Sequence, residues 1–217
     1  MTEPLTYEMM RQLLLHSPFW QEEEVRDLQQ RNPALMLRYV QMPVSPSRLQ
    51  EYHNALHGPK SRRGEIALAI ENDAGQILLH TKAFYPAGVF RMMTGGIHQG
   101  ETVLQGLQRE AMEETGAALP PATPVAVLFY TFLHESRRVP FLSYLFHVRV
   151  PDLNPQPLDA EENIAAFRWV DTDGLQHTID QLLSLPDEWE DWGRMRSLCH
   201  LLLLEWKANA NRCRCFH

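Results

Sequence analysis

Gly95 to Ala117 reads GGIHQGETVLQGLQREAMEETGA, and three of its residues set how the chain is understood. Glu110, Glu113 and Glu114 stand at spacings i, i+3 and i+4. That spacing puts three carboxylates on one face of one helix. Carboxylates this close repel one another unless something positive sits among them. Mg²⁺ and Mn²⁺ take oxygen ligands and share their coordination with substrate phosphates. An acidic trio standing alone reads more simply as a solvated helix face, so its neighbours have to decide. Arg109 flanks the acids and can orient one of them. Leu104, Leu107 and Ala111 form an adjacent apolar stripe that presses the helix onto a sheet, leaving the acidic face at a rim.

The residues just upstream fit the same picture. Thr94-Gly95-Gly96 predicts a tight turn and a close approach of backbone to ligand, with a carbonyl there as a further metal ligand. Gly100 permits the next turn. Glu101 opens the helix, where a negative charge is favourable, and can pair with Arg109. The helix is expected over Thr102–Thr115, ended by Gly116.

Outward from this stretch, Ile66–Ile70 reads as a buried strand. Asn72-Asp73-Ala74-Gly75 is a turn and Gln76–His80 the returning strand of a hairpin. Val125–Leu133 and Phe141–Val150 are strong strands, and Ala166–Val170 is a short one. Asp171 or Thr172 caps a helix through Leu183, and Asp187–Asn209 is a long final helix. Residues 1 to 60 read as mostly helical. Met9, Met10, Leu13 and Leu14 recur at helical spacing, Pro18 ends that helix, Gln21–Gln30 forms a second, and Ser45 or Ser47 caps a third. Hairpins with few βαβ crossovers argue for a mixed sheet covered by helices rather than a doubly wound parallel one.

The run Gly95-x5-Glu101-x7-Arg109-Glu110-Ala111-x-Glu113-Glu114-x-Gly116-Ala117 resembles the Nudix box over its full length. Seven such positions in register arise by chance on the order of once in 10⁶ chains of this kind. Two departures are mild: Ala111 and Ala117 stand where larger aliphatics are usual, and Met93-Thr94 replaces a Pro-Gly. The resemblance implies an α/β/α sandwich with a mixed sheet. Around it the sequence adds a helical N-terminal extension (1–60) to a Nudix domain (61–217) that includes the long C-terminal helix. It implies that Glu110, Glu113 and Glu114, with the Thr94 or Gly95 backbone, bind Mg²⁺ or Mn²⁺, and that Arg109 and Glu101 hold loop and helix together. The metal would polarise phosphate oxygens, activate a water and stabilise the leaving phosphate. Family members cleave a diphosphate bond in a nucleoside diphosphate linked to a further moiety.

Weaker candidates surround the box. Asp159, Glu161 and above all Glu162 are loop carboxylates, placed where many Nudix proteins carry an extra metal ligand or general base; a polar loop is the plainer reading. Phe84, Tyr85, Phe90, Arg91 and His98 are candidates for substrate contact. Tyr130, Phe132 and Tyr144 can stack on a base as well, although core packing explains most of these aromatics more simply. Trp189, Trp192 and Trp206 are expected to pack the final helix.

Composition bounds the partners. The net charge is −7, and the basic clusters, Lys60-Ser61-Arg62-Arg63 and Arg137-Arg138, are short and read as solvated loops. A nucleic-acid polymer is therefore disfavoured, and a small nucleotide-type substrate such as an NDP-sugar or ADP-ribose-like compound is expected. Three cysteines, Cys199, Cys213 and Cys215, make no disulfide framework. No apolar run suits a membrane span, and the N-terminus lacks a basic-then-apolar leader, so a cytoplasmic location is expected. Apolar stripes outside the box suggest a homodimer. The competing functions are a nucleoside triphosphate pyrophosphohydrolase, a non-catalytic Nudix-like ligand sensor, and an isoprenoid diphosphate isomerase. The sensor would be expected to lose box carboxylates, which this chain keeps, and the isomerase chemistry wants an additional acid–base pair, whereas none of the three cysteines falls near the box. No subfamily tag is visible: Tyr130-Thr131-Phe132, downstream of the box, has no proline.

Overall fold

The structure is a computed structural model and describes residues 3–14, 21–59 and 61–214. In chain order the elements are β1 (Glu3–Pro4), α1 (Tyr7–Leu14), α2 (Glu22–Arg31), β2 (Met36–Pro43), α3 (Pro46–His57), β3 (Arg62–Glu71), β4 (Ile77–Lys82), β5 (Met93–His98), α4 (Val103–Thr115), β6 (Thr123–His134), β7 (Arg137–Arg149), β8 (Ile164–Val170), α5 (Thr172–Leu183) and α6 (Glu190–Arg214). Single 3-10 turns lie at Ala160–Glu162 and Asp187–Trp189. The elements group into two compact units.

The first unit comprises Met1–Ala67, Thr94–Glu110 and Thr123–Phe146. Its strands run in the order β1-β2-β6-β7-β3, with β5 beside β3. β1 is antiparallel to β2, whereas β2 is parallel to β6 from Met36↔Ala126 to Pro43↔Leu133. The sheet is therefore mixed. β6 is buried almost throughout (Pro124 to Tyr130 without a break), which is why its sequence is a near-continuous apolar run rather than an alternation. α2 and α3 pack on it, and Tyr52 of α3 stacks on Phe132 at a centroid distance of 3.9 Å. Ser45 is the cap of α3: its side chain accepts from the Arg48 N–H at 3.4 Å.

The second unit comprises Leu68–Met93, Ala111–Ala122 and His147–His217. It holds the hairpin of β3 and β4, turned at Gly75, whose φ of +77° suits glycine. β8 is antiparallel to β4, with a register shift between Thr81 and Lys82. The Asp171 side chain caps α5 by accepting from the Gly174 N–H at 2.9 Å. α5 and the 25-residue α6 pack against each other. Val89, Leu182 and Trp192 form a buried cluster flanked by Tyr85, Leu185 and Trp189.

Three expectations change. Residues 1–60 are not helical throughout, because Met36–Pro43 is a strand of the sheet. Thr94-Gly95-Gly96 is not a turn but lies inside β5, and neither glycine has a positive φ. Arg63 is not a solvated loop residue: it is 2% exposed in β3, held by Glu24. Pro18, Lys60 and Cys215 lie outside the described residues. So does the side chain of Cys213, although its backbone belongs to α6.

Candidate active site

The clamp around the first half of α4 is built from side chains of the first unit. Arg109 Nε and Nη2 donate to the two Glu101 carboxylate oxygens at 2.7 and 3.0 Å. Nη2 also donates to the Gly96 carbonyl at 2.6 Å, and Nη1 to Glu110 Oε1 at 2.8 Å. One guanidinium thus ties strand β5, the start of α4 and an acid of its face together, which suits its planar fork of donors. The Arg109 hydrogen bonds and the His98 N–H, 2.9 Å away, hold the Glu101 carboxyl down at about 2. Glu101 in turn raises the Arg109 pKa above its ordinary value.

The start of the helix is tied to α2. Glu24 Oε1 accepts from the Val103 N–H at 2.6 Å, an otherwise unsatisfied donor of the first turn. Arg63 holds both oxygens of Glu24 at 2.8 Å and donates to the Glu101 carbonyl. Nothing in the sequence marks this contact, because a charge in an exposed-looking helix carries no sign of what it will meet.

Glu110 is 9% exposed and lies directly over the β5 backbone. A Cβ placed on Gly95 would come 1.8 Å from Glu110 Cδ and 2.0 Å from Oε2. Close approach, not conformational freedom, is what requires glycine there. Gly96 is similar but looser, with a Cβ meeting Arg62 Cδ at 2.8 Å.

The second half of α4 belongs to the second unit. Glu114 is 1% exposed. Its Oε1 lies 3.7 Å from Lys82 Nζ and 4.0 Å from His80 Nδ1, both on β4. Lys82 Nζ also donates to Glu162 Oε2 at 2.5 Å. The Glu113 carbonyl accepts from the Leu158 N–H at 2.9 Å, pinning the loop that leads to the Ala160–Glu162 turn. Of the three loop acids, Asp159 is a cap, accepting from the Glu161 N–H at 2.8 Å, Glu161 is exposed, and Glu162 faces Lys82. Gly116 ends the helix at φ +72°, where a Cβ would meet the Gln156 carbonyl at 2.6 Å. His80 and Lys82 were missed by the sequence reading. The one available sign is that they alternate onto the same face of a strand.

The remaining candidates divide. His98 has a side chain 60% exposed beside Glu101. Phe84 is 61% exposed. Tyr85 and Arg91 are committed to each other: Arg91 Nε donates to the Tyr85 hydroxyl at 2.8 Å and Nη1 to the Met92 carbonyl at 2.7 Å. Arg91 is 3% exposed, and Tyr85 packs on Trp192 at 4.9 Å. Both serve the buried cluster in this structure. Phe90 lies beneath the Arg168 guanidinium at 3.9 Å. Tyr130, Phe132 and Tyr144 are wholly buried, so none presents a face to a base.

The donor set is one of hard carboxylate oxygens, which suits Mg²⁺ or Mn²⁺ rather than a soft metal. The glycine cradle under Glu110 fits an acid that must be held in one place. Among the described residues no three carboxylates, histidines or cysteines are already drawn around one point. Glu110 faces Arg109, and Glu114 and Glu162 face Lys82.

A protein-family model described as NUDIX domain matches residues 60–192. No curated protein matches the chain. Among solved structures, a MutT NUDIX hydrolase from Burkholderia pseudomallei is 23% identical, covering 63% of this chain and 95% of that one, at a TM-score of 0.43. The NUDIX domain of Shewanella oneidensis NrtR, complexed with ADP ribose, is 14% identical, covering 77% and 99%, at 0.44. A C. elegans Ap4A hydrolase in a binary complex is 21% identical, covering 67% and 98%, at 0.44. Likenesses at these levels say nothing of substrate.

Proposed function

The chain belongs to the Nudix hydrolase family, and from that premise we propose that its substrate is a small nucleoside diphosphate linked to another moiety, an NDP-sugar or ADP-ribose-like compound, hydrolysed with Mg²⁺ or Mn²⁺. The observation that carries this is the placement of the α4 acids: Glu110 pressed on the Gly95 backbone and Glu114 almost wholly buried. Buried acids without a catalytic task are costly to keep.

Glu110, Glu113, Glu114 and the Gly95 carbonyl would hold the metal. Bound there, a divalent ion would polarise the phosphate oxygens, lower the pKa of an attacking water and neutralise the leaving phosphate. Arg109 keeps Glu110 in position through the Glu101 and Gly96 contacts. Glu162 is the candidate general base, on a turn fixed by its own cap. His98, exposed at the end of β5, is the candidate for substrate contact.

The case for a small substrate is electrostatic. A capped RNA needs a basic channel for its following phosphates. The net charge is −7, and Arg63 is withdrawn into a buried pair with Glu24, which leaves Arg137 and Arg138 as an exposed basic pair. The test is kcat/KM for ADP-ribose, several NDP-sugars, dNTPs and a capped oligonucleotide at one Mg²⁺ concentration. The expected order puts a diphosphate derivative first. A preference for the capped oligonucleotide would overturn the proposal, and a preference for a dNTP would replace the substrate while leaving the metal chemistry standing.

A further inference from the structure

We propose that Lys82 is a resident cation of the carboxylate centre: its ammonium takes the place between Glu114 and Glu162 that a divalent ion would otherwise occupy, so that this enzyme binds one metal ion fewer than its acids allow. The inference rests on the reading of α4 as the metal-binding helix and says how many ions that site admits.

Glu114 is 1% exposed, and an ionised carboxylate so buried needs a positive neighbour. Two groups of β4 face its Oε1. His80 Nδ1 is 4.0 Å away on a side chain with no exposure, and Lys82 Nζ is 3.7 Å away on a side chain 12% exposed. Of the two, Lys82 brings the ammonium, 3.7 Å from the carboxylate oxygen. The same ammonium lies 2.5 Å from Glu162 Oε2. Lys82 thus spans two acids from separate elements, one on α4 and one on the turn before β8.

The carriers of these groups are fixed without the lysine. Lys82 pairs with Ile164 in the β4–β8 ladder. The Ala83 N–H donates to the Asn163 carbonyl at 2.9 Å, and the Leu158 N–H to the Glu113 carbonyl at 2.9 Å. Removing the ammonium would leave both acids facing the same space, with their backbones held. Two carboxylates deprived of their cation should then recruit a divalent one.

The experiment counts bound Mn²⁺ per chain by electron paramagnetic resonance of the free ion, on the full-length protein without substrate. Lys82→Met is expected to bind one more Mn²⁺ than the wild type, and Lys82→Arg the wild-type number. Lys82→Met combined with Glu162→Gln should return to the wild-type number, since the added ion needs Glu162. Lys207→Met is the control for net charge, because Lys207 pairs with Glu71 at 2.5 Å away from these acids, and it should match the wild type. If methionine prevents folding, Lys82→Gln gives the same count with a polar end retained. An unchanged number and affinity for Mn²⁺ in the folded Lys82 variants, beside a wild type that binds the ion, would overturn this inference alone. Failure of wild type and variants alike to bind Mn²⁺ would overturn it together with the metal reading of α4.

Discussion

At Gly95 the chain passes so close beneath Glu110 that a single methyl group would fall inside the carboxylate. Gly95→Ala should therefore displace an acid of the centre while leaving most of the fold alone. Overpacking of this kind costs roughly 1–3 kcal/mol of stability, and a displacement of an ångström at a reacting centre costs about 10²-fold in rate. The expected result is a folded protein with kcat lowered on that order; a folded variant with wild-type kcat would contradict the role given to Glu110. The α4 acids and Arg109 were legible in the sequence because helical spacing places them, and Glu101 because an acid just before the helix can pair with Arg109. The glycines were legible as required positions, but the reason was not: they lie in a strand rather than a turn, and the constraint at Gly95 comes from a side chain fifteen positions on. Arg63, His80 and Lys82 were not legible. What each does depends on a partner brought from another element, Glu24 for Arg63 and Glu114 for the two β4 residues.

Elements with a local signature were readable, and elements defined by distant pairing were not. The hairpin at Asn72–Gly75, α4 with its glycine stop and the Asp171 cap of α5 all carry their cause within a few residues. β2 does not. Arg38 and Gln41 interrupt its alternation, and its partner is β6, so Met36 finds its place only opposite Ala126. Parallel pairing of this kind leaves no turn signal nearby. α6 was visible as a long helix, but how it is fastened was not. His200 on α6 is 1% exposed; its Nε2 accepts from the Met92 N–H at 3.0 Å, and its Nδ1–H donates to the Arg196 carbonyl at 2.9 Å. Burial lowers its pKa from 6.5 to about 4. The unfolded chain therefore takes up a proton that the fold refuses as pH falls through that interval. Stability linked to His200 is full above about 6.5, declines toward about 4 and levels off below, a difference on the order of 3 kcal/mol. His200→Phe should be less stable than the wild type at pH 7, with the gap closing as pH falls toward 4. Denaturant unfolding at several pH values reads this directly, and a gap independent of pH would contradict it.

For the molecule taken whole, family membership and the acidic balance bear on function in different ways. Membership gives hydrolysis of a diphosphate bond, and the balance of charge bears on which molecules approach it. No described helix is long and apolar enough to cross a membrane. Among the apolar residues outside the box, Met9 is 50% exposed and Leu201 39%, whereas Met10 and Leu202 are buried. The central claim is that the α4 acids act through a divalent metal. Its most direct test is the release of phosphate-containing product from the best diphosphate substrate, measured on protein stripped with EDTA and dialysed, then again after Mg²⁺ or Mn²⁺ is restored. Turnover should vanish on stripping and return with the metal, and Glu114→Gln should stay about 10²- to 10⁴-fold below the wild type even with metal present. Undiminished turnover in the stripped protein, or near-wild-type kcat in a folded Glu114→Gln variant, would contradict it.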